Sequence, residues 1–195
     1  LRDNLEAMID LAQSSHVRVL LVGIELPVNY GSRYRDGLRS VYADLASARH
    51  VALVPFLLEG VAMKPALMQN DGLHPVAAAE PLFAEFLHAL SDAGLRTDII
   101  SHSMGAKLTL KALTRDGATA HNVILAAPDI GIAEFPALVR EAAPRLRHLT
   151  IYASAEDVAL AISRRLNGGE PRIGRSPSAV RGAADVIDAG DAPAE

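Results

Sequence analysis

Cysteine is absent from all 195 residues, which excludes disulfides, thiolate nucleophiles and Cys-ligated zinc or iron–sulfur centres. That absence does not separate cytoplasm from periplasm. A basic excess is lacking too: 19 Lys and Arg stand against 23 Asp and Glu, giving a net charge of −4 and a pI near 6.0. No overall positive field is available to hold nucleic acid or anionic lipid. No uninterrupted apolar run reaches the ~18 residues of a membrane span; the richest stretch, Val51 to Met68, is broken by Glu59 and Lys64. The first residue is Leu1, with no basic stretch and apolar segment behind it, so a signal peptide is expected upstream or not at all. There is no H-E-x-x-H, Walker loop, G-x-G-x-x-G or EF-hand loop, and His16, His50, His88, His121 and His148 lack metal-ligand spacing. No cofactor and no metal are expected.

What is there suffices for a folded chain. Half of the residues are hydrophobic, 22% are charged, and the mean hydropathy is +0.18, which excludes global disorder. Helical spacing of Leu1, Leu5, Met8, Ile9 and Ala12 predicts a helix over about 1–14. The run Val17–Ile24 predicts a strand buried on both faces. A helix over about Tyr34–Ala48, a strand over Val51–Leu57 and an irregular stretch to Pro75 follow. Further helices are expected over about Val76–Ser91, Gly105–Thr114 and Glu156–Leu166, and strands over Thr97–Ser101, Val123–Ala127, Leu149–Ala153 and a short Asp185–Ala189. This alternation predicts an α/β fold, a parallel sheet with helices on both faces. Ligands of such sheets bind beyond the carboxyl ends of the strands, so reactive residues that directly follow strands are the candidates for a site.

Three groups do so. Ser101-His102-Ser103-Met104-Gly105 lies between a strand and a helix, where a nucleophile elbow belongs. So tight a turn wants small residues on either side of the serine, because a Cβ at Gly105 is expected to collide. Ser103 is the candidate nucleophile and the Met104 N–H the candidate oxyanion donor; the plainer reading makes Ser103 a helix N-cap. His102, the variable position of such an elbow, is expected to pack near the site. In Asp71-Gly72-Leu73-His74-Pro75 a carboxylate three residues before a histidine can hold the ring as a general base, against an Asx-turn beside a solvated histidine. Asp157, after the strand Leu149–Ala153, is a candidate for orienting an imidazole, and Asp129 has a similar position after Val123–Ala127. Helix capping is the stronger reading for both acids.

Residues 1–78 resemble the C-terminal half of bacterial SGNH (GDSL-type) hydrolases of the arylesterase, thioesterase and lysophospholipase kind. The segments that carry the resemblance are NLEAMIDLA, VLLVGIELPVNYG, VPFLLEGVA and DGLHP. It implies that Asp71 and His74 are a triad acid and base; the family's serine and its oxyanion Gly and Asn lie on segments upstream of those matched. Residues from about 80 to 190 resemble a second group, an uncharacterised bacterial α/β-hydrolase-fold family, through the HSMG elbow, LAAPDI and YAS…D…AL…SRRL. It implies Ser103 as nucleophile and Asp157 as triad acid. That family's histidine follows the last strand, and no histidine stands after His148.

The chain is therefore expected to join two incomplete hydrolases, an SGNH piece (1–78) and a partial α/β-hydrolase domain (79–195). The resemblances imply a soluble bacterial serine hydrolase, cytoplasmic or periplasmic, acting on a small acyl ester or thioester. Ser103 would attack, His74 would accept its proton and Asp71 would orient His74. The alternatives are a catalytically silent fusion and an interaction module. For the latter, Arg164, Arg165, Arg172, Arg175 and Arg181 offer contacts to phosphate or an acidic partner, although a solvated loop explains them more simply. An exposed sheet edge offers a contact for an oligomer.

Overall fold

The computed structural model describes residues 1–26, 30–61, 64–68, 80–115, 117–180, 182 and 184–190. The chain divides into two compact units, Leu1–Ala78 and Ala79–Glu195. The architecture is mixed α/β, with parallel sheets flanked by helices.

In the first unit, α1 (Arg2–Ser14) precedes β1 (Leu20–Val22), and α2 (Ser32–Arg49) precedes β2 (Ala52–Val54). The two strands pair in parallel, Leu20 opposite Ala52 and Val22 opposite Val54. Leu38, Val41, Tyr42 and Leu45 recur on one face of α2 and pack with Leu5, Ile9 and Leu21 into a small core. The strand predicted over Val17–Ile24 is shorter than its apolar run, and it is not buried on both faces: Leu21 is buried, Leu20 exposed. Among the described residues β1 has one strand neighbour, β2. Beyond β1, Glu25 accepts hydrogen bonds from Arg39 and lies 3.7 Å from Arg35. The Arg39 guanidinium holds this carboxyl below the usual carboxylate range.

The second unit contains α3 (Glu80–Asp92), β3 (Ile99–His102), α4 (Met104–Leu113), β4 (Asn122–Ala126), α5 (Phe135–Ala142), β5 (His148–Ala153), α6 (Val158–Leu166) and β6 (Asp185–Asp188). Its four strands lie in the order β3-β4-β5-β6, all parallel, with His102 opposite Ala126 and Ala126 opposite Tyr152. Alternate residues Val123, Leu125, Leu149, Ile151 and Ala153 turn to one face, where Leu87, Leu110, Leu113 and Phe135 meet them. On the opposite pleat Ile100, Tyr152 and Ile187 remain exposed. Helix α5 is an addition to the sequence reading. Its pattern is legible afterwards in Phe135, Leu138, Val139 and Ala142, one helical face begun by a proline in the first turn.

The segment Pro171–Arg175 crosses the carboxyl ends of β4 and β5. Its Gly174 N–H donates to the Pro128 carbonyl at 2.9 Å, and its carbonyl accepts from the Ser154 N–H at 2.8 Å. A Cβ on Gly174 would stand 2.6 Å from the Ala127 carbonyl carbon and 2.8 Å from the Pro128 nitrogen. Backbone cannot give way as a flexible side chain does. Gly174→Ala is therefore expected to cost about 1–3 kcal/mol by overpacking, read as a lower urea midpoint; an unchanged midpoint would show that the crossing segment moves freely.

Candidate active site

Ser103 is the residue at which β3 turns into α4. Its backbone has φ 55° and ψ −121°, a conformation that costs a residue with a side chain about 1–3 kcal/mol. Neighbouring backbone holds it there. The Ser103 N–H donates to the Ala126 carbonyl at 3.0 Å, and its own carbonyl accepts from Ala106 and Asp129 at 3.2 Å each. A serine placed only to cap α4 would put its Oγ on a first-turn N–H, and Ser103 makes no such bond. Strain without a capping bond fits a sharp strand–helix elbow better than a cap. The Met104 N–H opens the helix and has no intrahelical acceptor, so it can donate to an oxyanion formed beside Ser103.

Ser103→Gly separates these roles. Glycine takes this backbone freely but adds chain entropy of about 0.5–1 kcal/mol, so a net gain of about 1 kcal/mol in unfolding free energy is expected. A net loss would mark the side chain as a stabilising cap. The collision expected at Gly105 is not found: a Cβ there would meet the Ser101 Cβ at 3.7 Å, an ordinary contact. The strain of the turn sits in the Ser103 backbone instead. Ser101 stands where glycine or alanine is usual, and its buried Oγ has no hydrogen-bond partner.

The two acids differ. Asp157 caps α6, its Oδ1 accepting from the Leu160 N–H at 2.8 Å, as the capping reading expects. Oδ2 is not used in that bond. The loops that carry Ser103 and Asp157 follow β3 and β5, two strands apart, or roughly 10 Å at the usual strand spacing. Asp129 does not cap a helix. It is 5% exposed and pairs with Arg172, itself 6% exposed, through Nε to Oδ1. Arg172 Nη2 also donates to the Asp129 carbonyl at 3.1 Å, and the Ser163 hydroxyl lies 2.8 and 2.7 Å from the two carboxylate oxygens. Both oxygens are engaged, so Asp129 is structural. Its N–H on the Ser103 carbonyl links this buried pair to the elbow.

The histidines of the second unit do not supply a base beside Ser103. His121 and His148 stand at the amino ends of β4 and β5, the edge opposite the elbow, where Arg96 bonds His121 Nδ1 at 2.9 Å. His88, on α3, lies 3.2 Å from Asp92. His102, expected to pack near the site, is exposed. Asp71 and His74 lie outside the described residues. Among the described residues no group of three His, Asp or Glu is placed to hold a metal ion, and no helix is long and apolar enough to cross a membrane.

A parallel sheet bearing an elbow serine after one strand and an acid two strands on is an arrangement found among hydrolases. The family model described as "Alpha/beta hydrolase of unknown function (DUF900)" matches residues 30–185. The chain belongs to this family. Curated relatives add a second similarity to this alpha/beta hydrolase. Esterase TesA of Pseudomonas aeruginosa is 46% identical over 85 residues, 44% of this chain and 42% of that protein. Thioesterase 1/protease 1/lysophospholipase L1 of Escherichia coli K12 is 40% identical over 75 residues, 38% of this chain and 36% of that one. Among solved structures, AlinE4, an SGNH-hydrolase family esterase, is 35% identical with a TM-score of 0.34, covering 48% of each chain. A crystal structure of TesA is 41% identical with a TM-score of 0.41, covering 47% of this chain and 51% of that one. The chain thus spans less than half the length of the curated relatives it matches.

Proposed function

We propose that this chain is a serine hydrolase of carboxylic esters or thioesters, with Ser103 as nucleophile. The strained, uncapped backbone of Ser103 at the strand–helix turn carries the reading. The Ser103 Oγ attacks the acyl carbonyl and gives its proton to a base, and the carbonyl oxygen, now an oxyanion, accepts the Met104 N–H. Collapse of the tetrahedral intermediate expels the alcohol or thiol, which takes up the proton. Water then attacks the acyl-serine by the same route and releases the acid.

Within the proposal the base is His74, with Asp71 to orient it, as in the SGNH-like half of the chain. Asp157 is the competing acid, contributed by the α/β-hydrolase-like half. Curated relatives named as an esterase and a thioesterase support the substrate class.

Labelling by a fluorophosphonate tests the whole scheme. The expected result is covalent modification of the unaltered chain, lost in Ser103→Ala and slowed in His74→Ala; an unlabelled chain overturns the reading and favours a silent fusion. Asp157→Asn tests the acid, because asparagine caps a helix as well as aspartate does. Slower labelling at unchanged stability assigns the orienting role to Asp157; an unchanged rate removes it.

A further inference from the structure

A depression of about 210 Å³ lies on the carboxyl edge of the second unit's sheet, walled by Ala155, Arg164, Pro171, Arg172, Arg175 and Ser176. Three of these six residues are arginines and none is acidic. Arg172 is neutralised by Asp129. The other two are not: among the described residues no carboxylate stands within ion-pair distance of Arg164 or Arg175.

Each free guanidinium is anchored on one side by a backbone carbonyl. Arg164 Nε donates to Gly169 at 2.8 Å, and Arg175 Nε donates to Ala155 at 2.9 Å, joined there by its Nη2. An arginine carries five N–H groups in a rigid fork, so Arg164 keeps four of them. The anchoring has already restrained both side chains, which lowers the entropy lost on binding. Ser176 adds a hydroxyl to the same wall. Two unneutralised cations beside one concavity repel each other unless an anion lies between them, and their planar donors match phosphate oxygens.

We propose that Arg164 and Arg175 form a binding site for a phosphate dianion, free or as the monoester of a small molecule. A charge of about −2 matches the two unpaired guanidiniums. The volume, roughly that of seven liquid waters, holds a phosphate together with a short organic group. Ala155 precedes Asp157 by two residues, and Pro171–Arg175 crosses the ends of β4 and β5. The anion therefore sits on the sheet edge where ligands of parallel sheets bind. The site is independent of whether Ser103 is active.

Thermal denaturation of the full chain with inorganic phosphate, at ionic strength held constant with chloride, tests it. The expected result is a saturable rise in Tm that chloride does not reproduce, with apparent affinity at least tenfold weaker in Arg164→Gln. Arg175→Lys keeps the charge and one donor to the Ala155 carbonyl, so it preserves the fold, and it too is expected to weaken phosphate. Arg147→Gln, an exposed arginine outside the depression, is expected to behave like the unaltered chain. Glycerol 3-phosphate identifies the source: tighter binding than inorganic phosphate assigns an esterified ligand, weaker binding the free ion. A chloride response equal to that of phosphate, or an Arg164→Gln chain that titrates like the unaltered one, overturns the site.

Discussion

Asp129→Ala is expected to lower the unfolding free energy by about 3–5 kcal/mol, the cost of leaving Arg172 charged, buried and without its partner. The guanidinium is 6% exposed, so water cannot replace the lost carboxylate without opening the segment Pro171–Arg175. The Ser163 hydroxyl, at 2.8 and 2.7 Å from the carboxylate oxygens, loses its acceptor in the same substitution. Urea unfolding measures the total, and hydrogen exchange of the Val123 and Leu125 amides reports it locally in β4. Removal of both partners in Asp129→Ala/Arg172→Ala should cost less than the sum of the single changes, since the stranded charge goes with them. A loss below about 1 kcal/mol for Asp129→Ala would show that Arg172 reaches solvent at little cost.

Ser103→Ala is expected to have the largest effect on chemistry. On the proposed mechanism no acyl-enzyme forms without the hydroxyl, and what survives is the donor at Met104 together with binding, typically ~10³–10⁴-fold over water. Turnover of a p-nitrophenyl ester therefore falls to that residue, and it no longer responds to His74→Ala. Stability should change little, because Ser103 makes no capping bond that alanine would lose. A concurrent fall of about 1 kcal/mol or more in stability would mark a cap. Equal turnover before and after the substitution would place any esterase activity elsewhere in the chain.

Much of this molecule was legible one residue at a time. Apolar runs and helical spacing placed the sheet strands and most helices, because burial on a regular element leaves its period in the sequence. The Ser103 turn was legible for a similar reason: a strand, a small-x-Ser-x-Gly pattern and a helix are local. Helix α5 also carried its period, in Phe135, Leu138, Val139 and Ala142, but in an eight-residue element between two loops. The collision at Gly105 was a local inference that failed, since the path of β3 into α4 leaves 3.7 Å where contact was expected.

Local pattern thus determined the α/β order and the strand–Ser103–helix turn, both properties of short stretches of chain. Partners distant in sequence needed the tertiary structure. Asp129 and Arg172 are 43 residues apart, and no spacing rule joins them. Arg164 and Arg175 read as a solvated charged loop until the fold placed both beside one depression. The physical reason is that periodicity records which face of an element is buried, whereas charge pairing depends on three-dimensional distance, which the chain sets only once it has packed.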